Sequence, residues 1–321
     1  MTGKTEKDIM YMDVLAWAYG QNGCTKPIFK QVIQMIDTEI VDLYQSYGVE
    51  RQGAGDGFLQ AWIWNTPAEI SPIGRKRPAV LIIPGGGYQL VSPREAEPVA
   101  FRFMARGYAA FVLNYSVRPS RFPTALREAA MAMKYIREHG EAWEVDPHMV
   151  AAIGFSAGAH LCGTLGTLFD SPEVGDIASP EWIRPDALGL CYPVAVSWGR
   201  THEGSFENLT GNDPALRKRM SLENLVRGDM PPTYIWHTRT DASVPVRNSL
   251  VLAQALDEKG VDFAMHIFRN GPHGMSLADE QCYGAKNVPE RSRDVLDWPE
   301  NMMDFFREVG FHITDRETAH E

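Results

Sequence analysis

The Gly-x-Ser-x-Gly sequence at residues 154–158 is the feature that most constrains the fold of this chain. The apolar run Met149–Ile153 precedes it, and the helix-compatible segment Ala157–Leu168 follows it. A serine between two glycines in this context predicts a sharp turn from a buried strand into a helix, with the hydroxyl lifted out of the sheet. The N-terminus of that helix would direct backbone N–H groups at developing negative charge. We therefore predict that Ser156 is a nucleophile.

From about residue 57 the sequence alternates between strand-like and helix-like segments. The predicted strands are 58–64, 79–83, 109–113, 149–153, 187–192, 233–237 and 262–268. The predicted helices are 98–106, 123–139, 157–168, 246–259 and 292–309. Strands that alternate with helices of this length predict an α/β fold with a doubly wound, mostly parallel sheet and helices on both faces.

The composition of the 321-residue chain is that of a globular protein. A net charge of −10 disfavours nucleic acid and anionic membranes as partners, and no apolar run is long enough to span a membrane. The four cysteines lack C-x-x-C spacing, which argues against a disulfide framework and a zinc site. Because no secretion signal is recognisable either, we expect a cytoplasmic protein without a metal.

The first fifty residues differ from the rest. We predict an N-terminal helical extension over 1–50 and a main domain over 51–321. Behind Pro27, apolar side chains recur at helical spacing at Phe29, Val32, Ile33, Ile36, Ile40, Leu43, Tyr44 and Tyr47. This helix would pack on its own domain, or it would form a homo-oligomer contact or a flap over the site.

A serine hydroxyl needs a base to take its proton, and nine histidines are candidates. His273 follows the last predicted strand directly, in the tight loop 270–274, which contains two glycines and a proline. In an open parallel sheet the active crevice lies outside the carboxyl ends of the strands. We predict that His273 is the base, the alternative being a histidine hydrogen-bonded for structure. His160 lies one helical turn past Ser156 and is expected to pack.

The base needs an acceptor that fixes its tautomer, and Asp241 is the best candidate. It follows the strand 233–237, one strand before the histidine loop. Asp257 and Asp262 lie on the wrong side of the predicted sheet. The alternative for Asp241 is a helix N-cap, a position that favours aspartate. The chain order is serine, aspartate, histidine.

Three glycines follow the buried strand 79–83, in the segment Pro84–Tyr88. Because glycine has no side chain, the backbone of this segment can direct its N–H groups outward, toward an oxyanion. We predict oxyanion donors at Gly86 or Gly87 and at Ala157. A phosphate-binding loop is the competing interpretation, and it lacks both Gly-Lys-Ser/Thr and G-x-G-x-x-G spacing.

With these residues the chain resembles the α/β-hydrolase superfamily, and more narrowly the bacterial acetyl-xylan esterase-like carbohydrate esterases related to hormone-sensitive-lipase-type esterases. The resemblance covers roughly residues 55–310 and rests on 84–88, 92–98, 154–158, Asp241 with 244–245, and 271–274. One departure is Pro84, where lipase-type relatives often have histidine; the oxyanion donors are backbone groups, so this difference matters little. The resemblance implies a triad and an oxyanion hole at Ser156, Asp241, His273, Gly86, Gly87 and Ala157, without a cofactor.

The implied activity is the removal of small acyl groups, acetyl above all, from sugars or oligosaccharides through an acyl-enzyme. The region 169–232 is expected to be an insertion that lines the substrate, because it combines aromatic and polar side chains. We predict substrate contacts at Tyr88, Trp198 and His202, the alternative for the tryptophan being ordinary packing.

Two rival functions remain. A peptidase or amidase of the prolyl-oligopeptidase type would use the same triad, although that family usually carries a large extra domain for which this chain has no room. A non-catalytic hydrolase fold that serves as a binding module would normally have lost a triad residue, and none is lost here.

Overall fold

The computed structural model describes residues 36–51, 57–67, 69–71 and 74–315. The strands in this part of the chain are β1 (Ile36–Asp42), β2 (Phe58–Trp64), β3 (Arg75–Ile83), β4 (Ala109–Asn114), β5 (Val145–Phe155), β6 (Ala187–Cys191), β7 (Thr233–Thr238), β8 (Phe263–Phe268) and β9 (Thr314–Asp315). The helices are α1 (Leu43–Tyr47), α2 (Glu97–Met104), α3 (Thr124–Glu138), α4 (Ala157–Leu165), α5 (Pro180–Ile183), α6 (Glu203–Thr210), α7 (Pro214–Arg219), α8 (Leu222–Leu225), α9 (Arg247–Glu258), α10 (Glu280–Tyr283) and α11 (Trp298–Glu308). Two 3₁₀ helices lie at Pro93–Glu95 and Arg293–Asp297.

The strands form one sheet in the order β1-β2-β4-β3-β5-β6-β7-β8, and β9 pairs with the start of β3. Strands β3 to β8 run parallel, whereas β2 is antiparallel to β4 and β1 is antiparallel to β2. All carboxyl ends of the parallel strands therefore meet at one edge of the sheet. The loops after β3, β5, β7 and β8, which carry the predicted site residues, leave from that edge.

Both faces of the central strands are buried, as continuous apolar runs predict. Along β3, Leu81 and Ile83 pack into one apolar core and Val80 and Ile82 into the other. The first core contains side chains of α3, α4 and α9, and the second contains those of α2 and α11. Helices thus cover both faces, and the predicted doubly wound α/β class is confirmed.

The helix predicted for residues 29–47 is wrong over Ile36–Asp42, which form edge strand β1 along β2. Its β-branched residues suit an extended edge, and Ile36 and Ile40 are 45% and 71% exposed rather than part of a buried helical stripe. Only Leu43–Tyr47 are helical. The rest of the predicted extension, 1–35, lies outside the described residues, so its helical state and its oligomer contact stay predictions.

The region 169–232 is not one continuous insertion, because it contains the central strand β6. Before β6 the chain forms α5, and between β6 and β7 it forms α6, α7 and α8. The connection between β6 and β7 begins at the edge where the predicted site residues gather. It contributes His202, Gly204 and Asn208 to the lining of the cavity that contains Ser156, whereas the part before β6 contributes no residue to it.

Candidate active site

Ser156 lies on the tight turn between β5 and α4. Its backbone has φ 54° and ψ −117°, a sparsely populated conformation for a residue with a side chain. Close approach requires both flanking glycines: a Cβ on Gly154 would lie 2.3 Å from the carbonyl oxygen of Gly158, and one on Gly158 would lie 2.1 Å from that of Ile83. The turn is anchored by the Ser156 amide, which donates to the Cys191 carbonyl at 3.0 Å.

His273 lies within hydrogen-bond distance of the serine, with Nε2 2.7 Å from Ser156 Oγ. The loop that carries the histidine leaves β8 and is tied to β7, since the Thr238 hydroxyl donates to the Gly271 carbonyl at 2.8 Å. The Tyr192 ring meets the imidazole edge to face, with 5.1 Å between centroids. The imidazole is thus held on two sides, and its side chain stays 19% exposed.

Asp241 completes the array, with Oδ2 2.6 Å from His273 Nδ1. Its other oxygen, Oδ1, accepts the amides of Ser243 and Val244 at 3.0 and 2.9 Å. Burial by itself would raise the pKa of Asp241, but hydrogen bonds from His237 and His273 and from the backbone hold that pKa below its usual value. The carboxylate is therefore ionised at neutral pH and accepts the Nδ1 proton of His273.

His237 is a further residue of the array that the sequence did not single out. It is buried, its Nε2 lies 2.9 Å from the Val244 carbonyl and 3.3 Å from Asp241 Oδ2, and its Nδ1 lies 2.7 Å from Ser249 Oγ. A carbonyl only accepts, so Nε2 carries the proton and the serine hydroxyl donates to Nδ1. The available signal was its position at a strand end four residues before the aspartate.

The loop after β3 presents backbone donors beside the serine. Within the described part of the chain, the amides of Gly86, Gly87 and Ala157 donate to no protein acceptor. Gly86 and Gly87 have φ values of 129° and 65°, which favour glycine. The three amides predicted to bind an oxyanion thus have no acceptor among the described residues; Gly86 and Gly87 line the same cavity as Ser156, and Ala157 follows Ser156 in the chain.

Glu95, a residue without a sequence signal for such a role, holds the loop after β3 through the Gly85 amide. It is 3% exposed, its Oε2 accepts the Gly85 amide at 2.8 Å, and its Oε1 accepts the Tyr192 hydroxyl at 2.7 Å. The Tyr115 hydroxyl also donates to the Pro84 carbonyl at 2.8 Å. The carboxylate thus connects the oxyanion loop with the tyrosine that packs on His273. No local pattern marks such a contact.

A cavity of about 370 Å³ opens over the triad. Most of its lining is polar or glycine: Gly86, Gly87, Gln89, Leu90, Ser92, Arg94, Glu95, Ser156, His202, Gly204, Asn208, His273 and Gly274. A larger cavity of about 850 Å³ lies beside β1 and β2, is lined by Trp64 and Trp143 among others, and contains no triad residue. We assign the candidate site to the smaller cavity because Ser156 and His273 line it.

His202 is the predicted substrate contact that the structure brings into this cavity. Its Nδ1 lies 2.8 Å from Ser205 Oγ, and its ring packs beside Gly87. Burial, followed by the neighbouring His273, lowers the pKa of His202, so the ring is neutral at pH 7. It offers a polar edge to whatever occupies the cavity.

The structure does not bring the other two predicted contacts into the cavity. Tyr88 is 3% exposed and its hydroxyl bonds His160 Nδ1 at 2.8 Å, so its prediction as a substrate contact is wrong. His160 itself is buried and packs, as expected. Trp198 lies outside the cavity lining and is 45% exposed; its Nε1 donates to Glu223 at 2.7 Å, and Arg247 lies 4.4 Å from its ring centroid.

Two further observations concern the described residues alone. They contain no cluster of three or more His, Cys, Asp or Glu side chains arranged to hold a metal ion. None of their helices combines the length and the apolar character that crossing a membrane requires.

Two protein-family models match the chain, one over a segment that contains Ser156 and one over a segment that follows it. A model described as BD-FAE matches residues 71–179, which include the oxyanion loop and Ser156. The model of the prolyl oligopeptidase family matches residues 188–305, which include Asp241 and His273.

Two curated bacterial proteins resemble the chain. Endo-1,4-beta-xylanase B of Butyrivibrio fibrisolvens is 37% identical over 68% of this chain and 36% of its own length. Acetylxylan esterase of Xylanibacter ruminicola is 30% identical over 64% of this chain and 42% of its own length. The chain thus spans less than half the length of these two relatives.

Solved structures resemble it over most of their length. An acetyl ester-xyloside bifunctional hydrolase from Caldicellulosiruptor lactoaceticus is 36% identical, covers 79% of this chain and 88% of its own, and has a TM-score of 0.69. A carboxylesterase from Lactobacillus plantarum is 25% identical, covers 86% and 98% of the two chains, and has a TM-score of 0.72. The fold, the strand-edge site and these relatives agree: the chain belongs to the α/β-hydrolase superfamily, within its acetylxylan-esterase-like group of carbohydrate esterases.

Proposed function

We propose that this protein is a serine carboxylic-ester hydrolase that removes acetyl groups from sugars or oligosaccharides. The observation that carries the proposal is the continuous hydrogen-bonded array Ser156–His273–Asp241, with distances of 2.7 and 2.6 Å. It stands beside the unused amides of Gly86, Gly87 and Ala157. A nucleophile, a base, a charged acceptor and oxyanion donors at one sheet edge are the parts of acyl transfer.

In the first step Ser156 Oγ attacks the ester carbonyl carbon while His273 Nε2 takes the hydroxyl proton. The carbonyl electron pair moves onto oxygen, and the three amides stabilise that oxyanion, each typically contributing about 3 kcal/mol. Asp241 stabilises the imidazolium through the Nδ1 hydrogen bond. The C–O bond to the sugar then breaks, and His273 returns the proton to the departing alcohol oxygen.

In the second step water replaces the sugar. The oxygen of the water attacks the carbonyl carbon of the acyl-serine while His273 takes a proton from the same water. The second oxyanion collapses, the acyl–Oγ bond breaks, and the proton returns to Ser156. Acetate leaves, and the triad is restored.

The volume and the polar lining of the cavity favour a substrate with a small acyl group on a polar alcohol. Its volume is about 370 Å³ and its lining contains Gln89, Arg94, His202 and Asn208, which suit sugar hydroxyls rather than a long alkyl chain. In this proposal His202 contacts the sugar, and the exposed ring of Trp198 stacks on a more distant sugar unit. The printed names of the relatives, acetylxylan esterase and acetyl ester-xyloside hydrolase, point the same way.

The test is a series of p-nitrophenyl esters with acyl chains of two to twelve carbons, followed by acetylated xylo-oligosaccharides whose released acetate is measured. We expect the highest kcat/KM with acetate, a steep fall with acyl length, and acetate release from the oligosaccharides. Ser156→Ala is the blank for both assays. Equal or faster turnover of the long esters would contradict the proposal, and so would acetylated oligosaccharides that remain intact.

A peptidase or amidase function is the second candidate, because the prolyl oligopeptidase family model matches residues 188–305. The same triad would cleave an amide. Proline p-nitroanilides, assayed beside p-nitrophenyl acetate, separate the two functions. We expect only the ester to turn over.

A binding module without catalysis is excluded if a fluorophosphonate labels Ser156. The same probe should leave Ser156→Ala unlabelled, and an unlabelled wild-type protein would contradict the esterase proposal.

A further inference from the structure

A second cavity adjoins the triad cavity. Its volume is about 430 Å³, and it is lined by Arg118, Pro119, Arg121, Glu207 and Asn208. Asn208 also lines the triad cavity, where its Nδ2 donates to the Gly87 carbonyl at 2.9 Å. Asn208 is thus the residue that the linings of the two cavities share.

The position of this cavity relative to the serine is fixed by backbone hydrogen bonds. The Arg118 amide donates to the Tyr88 carbonyl at 2.9 Å, directly after the oxyanion glycines. The Phe122 amide donates to the Leu209 carbonyl at 3.0 Å, on α6. The loop that carries both arginines is thus tied to the oxyanion loop at one end and to α6 at the other.

Both arginines of this cavity are exposed. Among the described residues neither Arg118 nor Arg121 forms an ion pair or a side-chain hydrogen bond, whereas Arg127 of the adjacent helix α3 makes a two-bond pair with Asp176. Arg121 lies against Gly211 at the carboxyl end of α6, where the partial negative charge of the helix favours a cation. The cavity thus combines two arginines that form no ion pair within the described residues with one carboxylate, Glu207, in a chain of net charge −10.

We propose that this cavity is a substrate subsite for a sugar residue that carries a carboxylate. A guanidinium presents paired N–H donors that match a carboxylate in a two-bond geometry. Glu207 and Asn208 supply an acceptor and a donor for hydroxyl groups of the same sugar. The inference rests on the esterase function proposed above and names its substrate class, acetylated oligosaccharides with a uronic acid substituent. The ester enters the triad cavity while the acidic sugar occupies the neighbouring one.

The first test compares two acetylated xylo-oligosaccharides, one neutral and one bearing a single glucuronic acid. The measured quantity is the ratio of their kcat/KM values, acidic over neutral. An exposed guanidinium–carboxylate pair contributes up to about fivefold, so we expect Arg118→Gln/Arg121→Gln to lower this ratio by up to about 25-fold. Raising NaCl from 50 to 500 mM should lower the ratio in the wild-type protein as well, because salt screens exposed charges.

A matched control removes two charges elsewhere. Lys76 near the start of β3 and Lys259 after the end of α9 are both exposed. Lys76→Gln/Lys259→Gln should keep the wild-type ratio. A ratio near one in the wild-type protein, or an equal fall in both double variants, would overturn the subsite.

The second test measures binding without turnover and so stands apart from the esterase proposal. Ser156→Ala is titrated calorimetrically with an unacetylated xylo-oligosaccharide bearing glucuronic acid and with its neutral counterpart. We expect tighter binding of the acidic ligand, lost in the triple variant that also carries Arg118→Gln and Arg121→Gln. Equal binding of the two ligands overturns the subsite even if acetate release succeeds. Competition by inorganic phosphate as strong as that by glucuronate would show a general anion site and would also overturn it.

Discussion

Gly158→Ala is the substitution that most directly tests how the turn at Ser156 and the oxyanion loop depend on each other. A methyl group at residue 158 would lie 2.1 Å from the Ile83 carbonyl oxygen and 2.3 Å from that of Pro84, whereas ordinary contact begins at 3.4 Å. The two segments must therefore move apart by about 1.3 Å to reach that contact. Because Ile83 and Pro84 lead directly into the oxyanion glycines, the donors move with them.

The displacement sets the expected size of the effect. A misplacement of about 1 Å at a reacting centre costs about 100-fold in rate. Loss of one oxyanion donor costs about 3 kcal/mol, a similar or larger factor. We therefore expect Gly158→Ala to lower kcat/KM for p-nitrophenyl acetate at least about 100-fold, mostly in kcat. Overpacking should also lower the free energy of unfolding by about 1–3 kcal/mol, partly offset by the better helix propensity of alanine.

Gly163→Ala is the matched control, because it lies in the same helix and gains the same propensity. There the added methyl would meet only side-chain atoms of Leu222, the nearest at 2.9 Å, and these can rotate away. We expect its kcat/KM to stay within about threefold of wild type, since no backbone near the oxyanion loop must move. Urea unfolding of both variants separates loss of stability from loss of activity. A Gly158→Ala protein that keeps more than a tenth of the wild-type kcat/KM would refute the reasoning.

Three further predictions follow from the site and its surroundings. Asp241→Asn should lower kcat about 10⁴-fold with little change in circular dichroism, because it removes the charged acceptor that holds the tautomer of His273; a fall below tenfold would contradict the assigned role. Burial lowers the pKa of His160 to about 4 from its ordinary 6.5. As the pH falls, the unfolded chain therefore takes up a proton at residue 160 before the folded protein does. The free energy of unfolding, measured with urea, should fall by about 3 kcal/mol between pH 6.5 and pH 4, and a free energy that stays constant over this range would contradict the prediction. Glu95→Gln should lower kcat about tenfold with KM little changed, since the Gly85 amide loses a charged acceptor; unchanged kcat would mean that the oxyanion loop holds its shape without this carboxylate.

The central sheet could be predicted from the sequence because its strands are buried on both faces. The runs 79–83 and 109–113 lie within β3 and β4, and the loops after β3, β5, β7 and β8 were correctly expected at one edge. At residues 36–42 the prediction from the spacing of apolar residues was wrong. There the apolar residues at helical spacing are largely exposed, and pairing with β2 along the edge of the sheet decided the conformation.

The residues of the candidate site could be singled out from the sequence where each carries a local signal. Ser156 has its glycines, His273 has its tight loop, and Asp241 has its strand end. Glu95 and His237 carry no such signal, because their roles consist of hydrogen bonds to groups that fold against them. The substrate contact predicted at Tyr88 was wrong because a tertiary contact again decided the outcome. The Tyr88 side chain is buried and its hydroxyl donates to His160 on α4.

The sequence by itself determined the turn and the backbone freedom around it. Only glycine fits at residues 154 and 158, and glycines at 86 and 87 permit the left-handed conformations of the oxyanion loop. The spacing of apolar residues and the residue types that turns require are local properties, so they can be recognised in a single sequence. Only the tertiary structure decided other meetings of distant groups: Gly85 with the buried carboxylate of Glu95, and Arg118 with Arg121 in a cavity beside the one that holds Ser156. Such contacts depend on how separate elements pack, and no stretch of sequence specifies that packing alone.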